Sequence, residues 1–395
     1  MLQPGDWDAR TLEDLKAQRF PPDRAVADLR YESHQPPLYY LLATPVAFAT
    51  ASWPLADQVR ALRLFSLAWS LVLLLIAAAL VRRLVPESPG LALAVPAFIA
   101  VIPQHTAIAA AVNNDVLAEV IFSLVLLALA HRIARGVATP PRSLLDRLAG
   151  PVGLGVLLGL ALLTKATVYA AALLIPLGIL IAPEGGGGGH SRVRSLLGQM
   201  LVVYAVALLV AGWWFVRNAL VYGSLDLTGL GRHDAVVVGQ PRSGPLTLAF
   251  VQDFVLITFR SFWVQLGWMG VPAEGWVYVL LSSLTALATV GLLLFLARSA
   301  RQAGVLSTGL GRALGLASLA VLLVAFQMAG YNLQFFQPQG RYLFPAIIPI
   351  ALLLLLGLRE VSAPRYHTMG FLGLLATLLL LNGYVVQRLI PYLRP

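Results

Sequence analysis

The chain has 395 residues, of which 58% are hydrophobic and 12% charged, with a formal net charge of +10 and no cysteine. A charged fraction about half that of soluble domains excludes an ordinary soluble protein, and the missing thiols exclude disulfides and thiolate metal sites. The positive charge is mostly arginine, Lys16 and Lys165 being the only lysines. In so apolar a chain it reads as a device of membrane orientation, and no nucleic-acid partner is expected.

Residues 1–30 are polar and carry Asp6, Asp8, Glu13, Asp14, Asp23 and Asp28, so they are not expected to act as a signal peptide. The apolar part opens with Tyr31-Glu32-Ser33-His34-Gln35-Pro36-Pro37-Leu38-Tyr39-Tyr40. The paired prolines force an extended approach and let a helix start just after them. Segment 36–52 is short and has Tyr39, Tyr40 and Trp53 at its ends. It reads as a helix lying at the outer membrane surface, the alternative being an ordinary first span. Glu32 and His34 are then either a substrate-facing pair, as acid, base or metal contact, or a solvated cap.

Apolar runs predict helices at about 62–81, 91–111, 116–133, 151–164, 166–182, 197–216, 277–297, 313–331, 342–358 and 369–388. The fold expected is all-α: a polytopic transmembrane helical bundle with about ten spans plus the extracytoplasmic interfacial helix. The runs 151–164 and 166–182 are short for a crossing and are expected to be tilted or broken.

Arginines fall in alternate short loops: Arg82-Arg83; Arg132, Arg135, Arg142 and Arg147; Arg192 and Arg194; Arg298, Arg301 and Arg312; Arg359 and Arg365. These loops are expected to be cytoplasmic, with Gly185–Gly189 a flexible linker among them. Loops 112–115, the turn at Lys165, 217–276 and 332–341 then face out. The expected organisation is an extracytoplasmic segment 1–61, membrane bundles 62–216 and 277–395, and an outer loop 217–276. This parity puts residues 1–35 outside with nothing to carry them across, so a further transmembrane helix upstream is expected. The location expected is the inner or plasma membrane, multi-pass, with the site facing outside.

The outer loops hold the chemistry. Asn113-Asn114-Asp115 sits between two helices with no room for a long loop. The acid is either an N-cap for 116–133 or a site residue, and capping accounts for one of the three polar groups. Pro103, Gln104 and His105 are expected to break the outer end of the preceding helix. Lys165 interrupts an apolar run and must snorkel or pair; it is either a cation for a phosphate or a snorkelling residue in a tight turn.

Trp213-Trp214 reads as a membrane-belt pair, while Arg217, followed by Asn218, offers a planar donor fork for a phosphate. Arg341, beside Gly340 and Tyr342, stands where positive-inside statistics disfavour it. A helix N-terminus there would direct side chain, dipole and free N–H groups at one anion. Segment 217–276 carries Asp226, Arg232, His233, Asp234, Asp253, Arg260 and Glu274. Its Trp263, Trp268 and Trp276 form either a sugar-stacking surface or interfacial anchors. Catalytic candidates are Asp115, Glu32 and His34; binding candidates are Lys165, Arg217, Asn218, Arg341, Tyr342, Gln35 and Asn114. No cofactor or metal-ligand set follows from these residues.

Taken in order, five motifs resemble the GT-C superfamily of polyprenyl-phosphate-dependent glycosyltransferases. They are Tyr31 to Tyr40, Asn113-Asn114-Asp115, Gly159 to Lys165, Trp214-Phe215-Val216-Arg217-Asn218 with Tyr222-Gly223, and Gly340-Arg341-Tyr342-Leu343-Phe344-Pro345. The likeness covers residues 30–350 and is closest to glycosyltransferase family 39, the protein mannosyltransferase and aminoarabinose transferase group, and its bacterial relatives. It implies a GT-C-like fold, a polyprenyl-phosphate-linked sugar donor, and inverting transfer to a lipid, glycan or protein acceptor. It implies Lys165, Arg217 and Arg341 at the donor phosphate, and Asp115 as the acid of the second outer loop. The chain departs from the pattern in one respect: the Asp-Glu pair that follows the first transmembrane helix in these enzymes, as presumed base, does not occur in its first 30 residues. The alternatives are a non-catalytic polyprenyl-phosphate-binding relative, or a transporter or lipid flippase. Against the last stand the lack of an internal repeat and the gathering of polar clusters at one face.

Overall fold

The computed structural model describes residues 9–18, 33–135, 140–183, 189–223, 225–236, 244–267, 269–301 and 309–393. Its helices are α1 (Ala9–Ala17), α2 (Leu38–Ala49), α3 (Leu55–Leu84), α4 (Leu91–Ala100), α5 (Pro103–Ala109), α6 (Asp115–Arg135), α7 (Leu144–Ala149) and α8 (Pro151–Leu162). They continue with α9 (Ala171–Ile181), α10 (Gly189–Tyr222), α11 (Leu230–Val236), α12 (Leu248–Trp263), α13 (Gly275–Arg301), α14 (Gly309–Asn332), α15 (Ile347–Glu360) and α16 (His367–Tyr384). A two-residue antiparallel pairing, β1 (Gln265–Leu266) with β2 (Val271–Pro272), follows α12.

This is a multi-pass membrane protein: among the described residues seven stretches are long and apolar enough to cross a bilayer, eight if α4 and α5 form one bent span. All ten predicted apolar runs are helical, yet fewer than ten reach spanning length. α8 has 12 residues, and the 166–182 run divides into a 3-10 turn, Ala166–Val168, and the 11 residues of α9. Twelve residues rise about 18 Å, short of a hydrocarbon core of roughly 30 Å. α2, also of 12 residues, is equally short. Its Tyr39 is buried and hydrogen-bonds Ser66 of α3 at 2.7 Å.

Prolines set two of the breaks. The 91–111 run bends by 71° between α4 and α5, with Pro103 in the first turn of α5, where its missing N–H costs nothing. The predicted helix start at Arg341 is corrected: Gly340–Ala346 is 3-10, contains Pro345, and α15 begins only at Ile347. Segment 217–276, expected as a loop, contains α11 and the 16-residue α12.

The core forms around α6. Largely apolar around its circumference, this helix is 94% buried over its apolar stretch, against 17% for α10 and for α13. α3, α8 and the 3-10 run Gly340–Ala346 pack on it. α8 in turn lies close along α10. A Cβ on Gly155 would stand 2.7 Å from Val203 O, and one on Gly159 would stand 2.6 Å from Val210 Cβ. Small residues four apart allow this approach. It brings the end of α8 onto the end of α10, where Leu163, Ala211 and Trp214 form a buried cluster touched by Leu38.

The two ends of the bundle differ in chemistry. At one end, Arg83 of α3 donates to His131 Nδ1, and His131 Nε2 donates to Asp146 Oδ1 at 2.7 Å. There too Arg132 donates to Gln199 of α10 at 2.6 Å and Arg359 of α15 to Ser88 at 2.6 Å. Arg298 of α13 pairs with Glu360 beside it. Arginines from four of the predicted cytoplasmic loops therefore share one end. Asp115, Lys165 and Arg341 meet at the other, where α6 begins and α8 ends.

Candidate functional site

The site starts from the short link between α5 and α6. Asn113 organises it: Nδ2 donates to Ile108 O at 3.2 Å, and Oδ1 accepts from Asp115 N at 2.9 Å. With that N–H satisfied by Asn113, the Asp115 carboxylate is directed across the bundle end. Asn114 is buried and donates to Thr164 O at 3.1 Å, tying this link to the end of α8. Beyond Thr164 the chain leaves the helix. Lys165 is extended, with φ −166° and ψ 144°, before the 3-10 turn.

From there Lys165 Nζ reaches Asp115 Oδ1 at 2.5 Å, with side-chain exposures of 15% and 6%. The lysine therefore pairs and does not snorkel. Arg341 Nη1 faces the other oxygen, Oδ2, at 3.6 Å. Its turn is held from below, since Gly340 N donates to Ser261 Oγ of α12 at 2.7 Å. Gly340 lies directly against the backbone of α12: a Cβ there would stand 2.1 Å from Phe262 N. Tyr342 is half-buried, its ring 5.6 Å from the Arg341 guanidinium carbon and edge-on to Tyr331. Three residues distant in sequence thus form one ionic cluster of two cations and a carboxylate.

Arg217 belongs to an adjoining cluster. It donates to Tyr222 Oη at 3.0 Å, to Asn218 Oδ1 at 2.9 Å and to Ser33 O at 3.4 Å. Its guanidinium carbon stands 4.8 Å from the Trp214 ring centre and 5.2 Å from that of Tyr222. Asn218, 1% exposed, also donates to Leu227 O at 3.0 Å. Its amide is thus committed to shaping the turn after α10. The belt reading of Trp213-Trp214 is half corrected. Trp213 is exposed, but Trp214 is buried against Leu163, because neighbouring helix positions point about 100° apart. The two clusters touch through this contact and through Leu38 N, which donates to Leu163 O at 2.8 Å.

The remaining candidates divide. His34 is buried, its ring 4.9 Å from that of His233, and Asp234 beside His233 accepts from Gln334 at 3.1 Å. Gln35 is half-buried in the bend before the prolines. Glu32 and Trp268 lie outside the described residues. Trp263 is buried to 1% between Phe98 and Phe262, so it offers no sugar-stacking face. Trp276 is exposed and donates to Glu274 at 3.0 Å. Among the described residues no group of three or more His, Asp or Glu side chains could hold a metal ion.

Sequence reading missed the ionisable pair beside this cluster. Glu119 lies one turn below Asp115 on α6 and meets His105 Nε2 at 2.9 Å, both being almost fully buried. The Glu119 Oε1 atom has no hydrogen-bond partner among the described residues. His105 also packs edge-on against Phe344 of the Arg341 turn. A lone acid inside the apolar 116–133 run was the available signal. Compared with known proteins, the chain matches no family model, no curated protein and no solved structure.

Proposed function

We propose that the chain is a membrane glycosyltransferase of the GT-C kind, moving a sugar from a polyprenyl-phosphate donor to a lipid, glycan or protein acceptor on the extracytoplasmic side, with inversion. One observation carries this reading: among the described residues Lys165 and Arg341 converge from distant parts of the chain on the same carboxylate, that of Asp115. Cations gathered beside a low-dielectric interior suit an anionic ligand, and a lipid phosphate at the bilayer boundary is the anion this reading supplies. The arginine-rich opposite end is cytoplasmic by the positive-inside rule, which turns the cluster outward.

In the proposed reaction an acceptor hydroxyl attacks the anomeric carbon. The bond from that carbon to the phosphate oxygen breaks, and its electron pair leaves with the polyprenyl phosphate. Charge grows on the phosphate in the transition state, so Lys165, Arg341 and Arg217 act differentially. Asp115 bridges two cations, which makes it their organiser. The acceptor proton is assigned to the segment of Glu32 and His34, whose Ser33 carbonyl contacts Arg217.

Two other readings have an observation each. The engagement of both Asp115 oxygens favours a polyprenyl-phosphate-binding protein without transfer activity. The buried Glu119–His105 pair favours a transporter or flippase. One experiment separates the three: the purified chain in vesicles with a labelled polyprenyl-phosphate sugar and a mixture of acceptors. Labelled product supports transfer. Binding without product sinks it in favour of the binder, and movement of the lipid between leaflets without product favours the flippase.

A further inference from the structure

The backbone that presents Lys165 is neither helix nor strand. α8 ends at Leu162, Lys165 is extended, and the 3-10 turn Ala166–Val168 leads to α9. Inside a membrane bundle, an interrupted backbone must find its hydrogen bonds within the protein. Here one side chain supplies two of them. Gln327 Oε1 accepts from Ala170 N at 2.9 Å, and Gln327 Nε2 donates to Ala166 O. Gln327 belongs to α14, 157 residues beyond Ala170, and is the single polar residue in the stretch 319–329. A carboxamide suits the task because it offers a donor and an acceptor side by side.

We propose that Gln327 is the positioning residue for Lys165. By bridging Ala166 and Ala170 it fixes the turn from which the ammonium reaches Asp115. The same helix end serves the Arg341 side, since Tyr331 meets the Tyr342 ring at 5.9 Å and Asn332 Oδ1 accepts from Gln337 N at 2.8 Å. α14 therefore contacts both segments that carry the paired cations. The meaning of this for phosphate binding rests on the function proposed above; the placement of Lys165 does not.

The test uses the two-lysine composition of the chain. Labelling the full protein in lipid with ζ-15N lysine gives two ammonium signals, and Lys16→Arg leaves that of Lys165. Asp115→Asn provides the signal of Lys165 without its partner. Gln327→Leu is expected to shift the Lys165 signal toward that value. Gln327→Glu is expected to match the parent at the same low pH, because a protonated carboxyl keeps one donor and one acceptor. On ionisation it has acceptors alone, faces the Ala166 carbonyl, and loses the parental signal. A Lys165 signal in Gln327→Leu that coincides with the parent overturns the proposal. So does a Gln327→Glu signal that follows the parent across all pH. Where the Leu variant fails to fold, the Glu variant decides alone. Binding of a short-chain polyprenyl phosphate is measured alongside. A parent that does not bind it refutes the phosphate reading, while the lysine spectra still judge Gln327.

Discussion

Asp115 and Lys165 are 50 residues apart in the chain, and their charged atoms are 2.5 Å apart in the structure. The contact joins the start of α6 to the break after α8 and fixes a charge that would otherwise follow the solvent. Arg341 completes the arrangement from the C-terminal part of the chain.

Removing the shared carboxylate, itself buried, leaves two half-buried cations facing each other. Asp115→Asn should therefore lose about 3–5 kcal/mol of stability, the cost of breaking a buried pair by deleting one partner. Combined with Lys165→Met the loss should be less than additive, with a coupling of about 0.5–3 kcal/mol in a double-mutant cycle. Denaturant unfolding in detergent checks this, and a variant as stable as the parent rules out a structural role for the bridge.

Arg341 has the looser contact to Asp115 and is 19% exposed, so its removal is expected to cost the fold less than that of Asp115. On the proposed function, Arg341→Ala should lower sugar transfer by about 10²–10³-fold, as loss of a preorganised donor does. Its melting temperature should stay near the parental value. Normal turnover in this variant would remove Arg341 from the chemistry.

Gly340 tests the same turn through sterics. An alanine methyl would meet Phe262 N at 2.1 Å and Phe262 Cα at 2.4 Å, both backbone atoms that cannot swing aside. Gly340→Ala should cost about 1–3 kcal/mol from overpacking and should displace Arg341. Ser261→Ala, which removes the acceptor for Gly340 N, should cost about 1–3 kcal/mol, the penalty of a buried group left unpaired. Thermal unfolding of the two variants gives the comparison.

At the opposite end, hydrogen bonds from His131 first, then from the Ser143 side chain and the Arg142 and Ser143 N–H groups, hold the Asp146 carboxyl well below its usual range. A depressed carboxylate stabilises the fold above its ordinary value of 3.8 and loses that contribution as pH falls through its folded value. Amide exchange in α7 should therefore be independent of this group near neutrality and accelerate only in acid, as pH falls below the ordinary value of 3.8. Asp146→Asn should abolish the acid-dependent step. A change near pH 7 traced to Asp146 would contradict the assignment.

The apolar helices were legible because bilayer-length runs leave a strong signal in a single sequence. Asp115, Lys165 and Arg341 were legible as charges in places where charge is costly. Their meeting was not, because pairing depends on how three separate breaks in helix geometry face one another. Glu119 carried the same signal of costly charge, but lay inside a run read as plain core. Gln327 carried none: a single amide near the end of an apolar helix has no pattern, and its partners are backbone atoms. α12 was hidden because its exposed apolar face and scattered polar residues read as loop.

α6 is fastened at both extremities, by Asp115 to Lys165 and by His131 to Asp146. At roughly 1.5 Å per residue, the stretch between these fastenings measures about 24 Å. It serves as a ruler for the molecule. Inserting or deleting a single residue within it would rotate one fastening away from the other by about 100° and leave one of the two unmade. The spacing of that one helix, more than its composition, is what keeps the two faces of the protein in register.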